Sequence, residues 1–280
     1  LGFMVPLLIG NVFQQMYSIA DIIIVGRTIG VNALAAVGAA APVFMLLVGI
    51  TIGMSNGFTV ITGQYYGAGD LKTMRRSVAM ATMLSLIGVA ILDVIGLTVL
   101  EPAMHFMNVP GEIFADSASY VAIITYGLVA MMGYNLLAGI LRALGDSKTP
   151  LYFLIVATVV NVILALFFII YCGWGVPGSA WGIVLAQTIS VILCVLYIHH
   201  RLPILRLTKE DWHWDTQFAL EHLRIGIPMA CQFSILGIGI LLIQSVCNRF
   251  GPQTIAGFTA ATRVEQLALQ PMISFSLAMA

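Results

Sequence analysis

Eight stretches of this chain, roughly 3–26, 36–62, 77–100, 117–141, 150–172, 177–198, 225–248 and 255–280, carry apolar residues almost without interruption. A helix crossing roughly 30 Å of hydrocarbon needs about 20 such residues, and backbone groups in lipid must be satisfied within the element itself. The runs lack the period-two alternation of barrel strands. The expected fold is therefore all-α, a polytopic transmembrane helix bundle of seven complete spans and a last one cut short by the end of the sequence. Hydrophobic residues make up 60% and charged residues 9%, against roughly 25% charged in soluble domains. Formal net charge is zero, so no overall field draws nucleic acid, which is not an expected partner.

Charge placement sets the orientation. Lys72, Arg75, Arg76, Arg142, Lys148, Arg201, Arg206, Lys209 and Arg224 fall in one set of connections, and only Arg27 and Arg249 in the other. Basic residues accumulate in cytoplasmic loops. The expectation is a multi-pass protein of the inner or plasma membrane with its amino terminus in the cytoplasm and Glu101, Glu112 and Asp116 outside. Leu1 begins inside one apolar run and Ala280 ends inside another, so the chain reads as a fragment of a longer, transporter-sized protein. Cys172, Cys194, Cys231 and Cys247 are 16 or more residues apart; that matches no CxxC or zinc spacing, and no metal site is expected from them.

The one long polar connection, Arg201 to Arg224, mixes Leu202, Leu205 and Leu207 with Trp212, His213 and Trp214. Tryptophan favours the headgroup level and basic residues favour anionic lipid. The segment reads as a cytoplasmic interfacial linker, either a helix lying along the membrane or an ordinary solvated loop. A faint repeat spans it: Gly30 to Ala40 and Gly251 to Ala261 lie 221 positions apart and agree at four of eleven positions, each after a span opened by a proline, Pro6 or Pro228. Six intervening spans preserve orientation, and parallel repeats are one architecture of secondary transporters.

Asp21 lies inside the first run, where an aspartate costs roughly 2.5 to 3.5 kcal/mol at a helix centre. At 100° per residue, Asn11, Gln14, Ser18 and Asp21 fall within about 80° of one another, a polar stripe that should face protein or water. This favours a carboxylate that binds a proton or sodium ion beside an aqueous cavity over an end residue paired with Arg27. Asn161 in the fifth run and Gln187 in the sixth are amides able to donate to a neighbouring helix. Thr262, Arg263, Glu265 and Gln266 sit inside the eighth run, and ionisable groups of opposite sign there suggest a cavity lining. Asp93, near the outer end of the third run, reads as snorkelling slightly ahead of function. Gly53-Met54-Ser55-Asn56-Gly57 satisfies GxSxG, but a nucleophile elbow needs a strand-to-helix turn with a histidine and an acid nearby. Gly49, Gly53 and Gly57 instead recur at the four-residue spacing of close helix packing. With no P-loop either, no enzyme is expected.

Several segments together resemble the multidrug and toxin extrusion (MATE) family. They are Pro6-Leu7-Leu8-Ile9-Gly10-Asn11 through Ser18-Ile19-Ala20-Asp21, Val25-Gly26-Arg27, Ala33-Leu34-Ala35-Ala36-Val37-Gly38, Gly67-Ala68-Gly69-Asp70, Leu141-Arg142-Ala143-Leu144-Gly145-Asp146-Ser147-Lys148-Thr149-Pro150 and Ala261-Thr262-Arg263-Val264-Glu265. The likeness covers essentially the whole chain.

The resemblance implies two six-helix lobes that export cationic or amphipathic compounds in exchange for protons or sodium ions by alternating access. Residues 1–200 would form the N-terminal six-helix lobe, 201–224 the linker, and 225–280 the first two helices of a pseudo-symmetric second lobe that is otherwise missing. Asp21 matches the family's first-span carboxylate, Asn161 an asparagine beside it in the fifth span, and Glu265 an eighth-span glutamate of the DinF-like branch. The departures are Ala165, where that branch often carries an aspartate, and Leu236, near which another branch carries a glutamate. The expected proton or cation site is thus Asp21 with Asn161, with Na+ a candidate at Asp21; the expected substrate path is Asn11, Gln14, Ser18, Gln187, Arg263, Glu265 and Gln266. No cofactor beyond H+ or Na+ is expected, and the protein is expected to be a monomer in the lipid bilayer. The alternative reading, a flippase for lipid-linked saccharides of the related superfamily, fits poorly with spans so sparse in basic residues.

Overall fold

The computed structural model describes residues 8–9, 23–107, 109–247, 265, 268–269 and 271–272. Among them the regular elements are all helical. After a helical segment at 23–28 come α1 (Val31–Gly67), α2 (Leu71–Phe106), α3 (Gly111–Tyr126), α4 (Leu128–Ala143), α5 (Lys148–Leu166), α6 (Val176–Arg201) and α7 (Thr216–Cys247). A five-residue π-helix, Phe167–Tyr171, extends α5. Asn32–Gly67, Leu71–Phe106, Lys148–Tyr171 and Val176–Arg201 are each long and apolar enough to cross a membrane, and α3 with α4, bent by 46°, is so only as a pair. The 37 residues of α1 extend about 55 Å, well beyond the hydrocarbon, so its ends project into the interfaces.

Several expected boundaries move. The fourth run reads as one span over 117–141, but the chain bends at Gly127, between α3 and α4. A Cβ at Gly127 would collide with a Val184 methyl of α6. The glycine lets α6 approach the backbone there, and glycine is a recognised site of kinks. Pro228 lies in the interior of α7, which starts at Thr216, and so does not open the span.

Two turns that carry basic residues are built alike. Gly69-Asp70-Leu71-Lys72-Thr73 and Gly145-Asp146-Ser147-Lys148-Thr149 share the pattern GDxKT. Each glycine has positive φ, 76° and 88°, a conformation that other residues adopt only at a cost. Each aspartate then accepts from the threonine three residues on, through its backbone N–H at 3.0 Å and its hydroxyl at 2.6 Å. Two stretches of the family resemblance are therefore helix punctuation: glycine ends one helix and aspartate caps the next.

The linker is neither a membrane-parallel helix nor a free loop. It forms two 3₁₀ turns, Pro203–Leu205 and Lys209–Trp212, tied to α2 by Arg75–Asp211 at 3.8 Å and Arg76–Asp215 at 3.3 Å. Asp211 also accepts from the Thr208 N–H at 2.7 Å and hydroxyl at 2.8 Å.

The glycine stripe of α1 seats α7. A Cβ built at Gly49 would lie 3.5 Å from that of Phe233, one at Gly53 would lie 2.6 Å from the Met229 carbonyl oxygen, and one at Gly57 2.5 Å from the Gly226 Cα. The helices run antiparallel with backbones in direct contact, as the four-residue spacing predicts. Ser55 stands inside this helix with no elbow around it. Elsewhere, the buried Ser117 hydroxyl of α3 donates to the Ala36 carbonyl of α1 at 2.9 Å, and the Tyr134 hydroxyl donates to the Pro150 carbonyl at 3.0 Å.

Candidate functional site

Of the expected site residues, Asn161, Gln187 and Glu265 belong to the described part of the chain; Asn11, Gln14, Ser18, Asp21, Arg263 and Gln266 lie outside it. Glu265 is helical and exposed.

Asn161 sits on the buried stripe of α5, flanked one turn away on each side by Ala157 and Ala165. It is 0% exposed. Among the described residues, neither its amide nitrogen nor its amide oxygen has a hydrogen-bond partner. The stripe is made for close approach: a Cβ at Gly182 of α6 would stand 3.1 Å from the Ala165 nitrogen. On the same antiparallel pair, the Ser190 hydroxyl lies 3.4 Å from the Phe153 carbonyl oxygen. Interpolating between these contacts puts Asn161 within about one turn of the level of Gln187. The Gln187 Oε1 is likewise buried with no partner among the described residues.

A buried amide without partners loses roughly 1–3 kcal/mol of solvation. Such groups call for an explanation, and an ion, water or substrate is the usual one. The small residues Ala157, Ala165 and Gly182 leave the Asn161 amide as the polar feature of its stripe. Had Ala165 been an aspartate, a carboxylate would stand one turn from Asn161; the alanine instead serves the α5–α6 contact.

Two further groupings carry buried polar groups, and only the second escaped the sequence reading. Asp93 shares a helix face with the buried Val89, Gly96 and Leu100, and its Oδ1 is buried with no partner among the described residues. Because α2 continues to Phe106, Asp93 lies about 20 Å from the end of the helix. The second grouping joins three helices through fully buried side chains: the Thr62 and Ser77 hydroxyls are 2.9 Å apart, and the Ser77 hydroxyl is 2.9 Å from His222 Nε2. No spacing links positions 62, 77 and 222. The only available signal was a histidine in a segment that read as a linker. Among the described residues, no group of three or more His, Cys, Asp or Glu side chains could hold a metal ion.

Comparison with known proteins bears on the same stretch. The MatE family profile matches residues 6–167. The chain is 31% identical over 284 residues to the probable multidrug resistance protein YoeA of Bacillus subtilis (strain 168), covering 99% of this chain and 61% of that protein. It is 27% identical over 278 residues to the probable multidrug resistance protein NorM of Thermotoga maritima, covering 96% of this chain and 58% of that one. Among solved structures, a MOP superfamily transporter from Pyrococcus furiosus superposes with a TM-score of 0.90 at 25% identity, over 99% of this chain and 61% of that one. The chain thus spans about three fifths of the length of the relatives it matches.

Proposed function

The chain belongs to the MatE family, whose members are transporters rather than enzymes, and from that premise we propose that it is part of a secondary active antiporter that exports cationic or amphipathic compounds in exchange for H+ or Na+. The observation that carries the reading is the Asn161 amide, buried between α5 and α6 with both polar atoms unpartnered among the described residues. Asp21 supplies the exchangeable carboxylate, and Asn161 orients the ion or a water beside it. Asn11, Gln14, Ser18, Gln187, Arg263, Glu265 and Gln266 line the path of the substrate.

A bound ion shifts a two-state equilibrium only by its differential affinity for the two states. The exchange therefore needs a carboxylate whose access to water changes as the lobes rock, since desolvation changes the proton affinity of such a group. Residues 1–200 form the first lobe; the linker, expected over 201–224, ends where α7 starts at Thr216, and α7 opens the second lobe. The protein acts as a monomer in the plasma membrane with its amino terminus in the cytoplasm, the orientation that the basic connections favour.

The test is substrate efflux from cells or vesicles carrying the natively expressed protein, with the proton and sodium gradients collapsed one at a time. Efflux should stop when the coupling gradient is removed and fall at least about tenfold in Asp21→Asn, a loss of roughly 1.4 kcal/mol or more in driving interaction. Ion-driven efflux at the wild-type rate in Asp21→Asn would dismiss the assignment.

A further inference from the structure

We infer that His222 is a second proton-binding site, on the cytoplasmic side of the α1–α7 seam, which holds the seam shut when the ring is neutral and releases it when the ring is protonated. This rests on the transporter reading for the side of the membrane and for the purpose of opening.

The geometry fixes the tautomer of the neutral ring in the closed seam. His222 Nδ1 lies 2.9 Å from the Phe218 carbonyl oxygen. A carbonyl only accepts, so Nδ1 carries the proton. In the neutral ring Nε2 then accepts from the Ser77 hydroxyl at 2.9 Å, and Ser77 in turn accepts from Thr62 at 2.9 Å. Donor and acceptor run in one direction through α1, α2 and α7, and both ring nitrogens are satisfied.

The surroundings suit a neutral ring. His222 is 0% exposed and meets the rings of Phe218 and Phe58 at centroid distances of 4.8 and 6.2 Å. Among the described residues no carboxylate forms an ion pair with it. The charged and titratable groups around it are occupied or opposed. On α2, Arg76 lies 5.6 Å over the Phe218 ring and reaches Asp215 at 3.3 Å, while Arg75 pairs with Asp211. On α1, Tyr65 packs on Phe218 at 5.9 Å. On α7, Glu221 and Arg224 are exposed. A proton on Nε2 would reverse the hydroxyl chain and put a second positive charge behind a ring already faced by Arg76. His222 precedes the apolar run that begins at 225, and burial holds its pKa below the ordinary histidine value, against smaller raising effects of the Phe218 carbonyl, Glu221 and Ser77.

Linkage gives the sign. A histidine depressed in the closed form and ordinary in the open form stabilises closure fully above about pH 6.5. That contribution is lost as the pH falls below this value, because only the open form takes up the proton.

The test uses spin labels on cysteines replacing the exposed Tyr66 of α1 and Gln217 of α7, in the natively expressed protein with its own cysteines removed. It reads distance rather than efflux, so it can fail while ion-driven transport stands, or hold while transport fails. The ratio of open to closed populations should rise by up to about tenfold from pH 7.5 to 5.5. His222→Gln and His222→Phe should show no such rise. Ser77→Ala, which keeps the imidazole but strips Nε2 of its partner, should move the midpoint. A flat wild-type titration, a wild-type response in either His222 variant, or an unmoved midpoint in Ser77→Ala overturns the proposal.

Discussion

Arg76 of α2 reaches across to Asp215, 139 residues later in the chain, and its Nη2 donates to the Asp215 Oδ2 at 3.3 Å. The same aspartate accepts from the backbone N–H groups of Gln217 at 3.0 Å and Phe218 at 3.2 Å through its other oxygen. One carboxylate thus starts α7 and ties it to α2. Exposed ion pairs contribute little, roughly 0–1 kcal/mol, whereas a cap satisfies helix donors that have no other partner. Asp215→Ala should therefore lower the melting temperature more than Arg76→Ala, and Asp215→Ser should recover most of the difference. Equal losses in the two alanine variants, measured by thermal unfolding in detergent, would mean that the ion pair and not the cap dominates.

The Asp215 carboxyl is held below the usual aspartate range by the Phe218 N–H first, with burial opposing it next and the Gln217 N–H and Arg76 lowering it further. A depressed carboxylate contributes stability that is present above its unfolded value, about 3.9, and is lost as the pH falls through the lower folded value. The melting-temperature gap between wild type and Asp215→Asn should be constant from pH 7 to 5 and close below about pH 4. A gap that persists to pH 2.5 would remove the carboxylate charge from the account.

Gly53 and Gly57 meet backbone, which cannot swing aside as a side chain can. A Cβ at either would need a shift of the whole of α7, and overpacking of this kind costs typically about 1–3 kcal/mol. Gly38, in the same helix, has nothing within 4 Å of its would-be Cβ, and alanine there should gain up to about 1 kcal/mol from helix propensity. Thermal unfolding of the three alanine variants checks the contrast. Similar melting temperatures for all three would show that α7 does not sit on this stripe in the folded protein.

Asn161→Leu separates structure from function. An amide that holds helices together costs stability when it is removed, but the Asn161 amide has no partner to lose among the described residues. The substitution should leave the melting temperature unchanged or raise it, since it relieves roughly 1–3 kcal/mol of desolvation, while ion-driven efflux falls at least about tenfold. A destabilised variant with normal efflux would make Asn161 a packing residue.

What could be read in the sequence follows the range over which each signal acts. The helices were legible because twenty apolar residues in a row have one solution in lipid. The seat for α7 was legible because Gly49, Gly53 and Gly57 recur within one element. The break at Gly127 was not, since its cause is Val184, 57 positions away, in an unbroken apolar run. His222 was hidden for the same reason: its partners Thr62 and Ser77 belong to other helices, and its own segment read as linker. Asn161 stood out as a lone amide in an apolar run, but that it would lack any partner among the described residues depended on small residues across α5 and α6.

Contact of α1 with α7 through bare glycine backbone has a mechanical consequence. Interlocked side chains must be unthreaded, one rotamer at a time, before two helices can separate; smooth surfaces peel apart and settle back in the same register. The stretch from Gly53 to Gly57 is such a smooth surface, and a separation of the helices there would have chiefly the polar links at its rim to break.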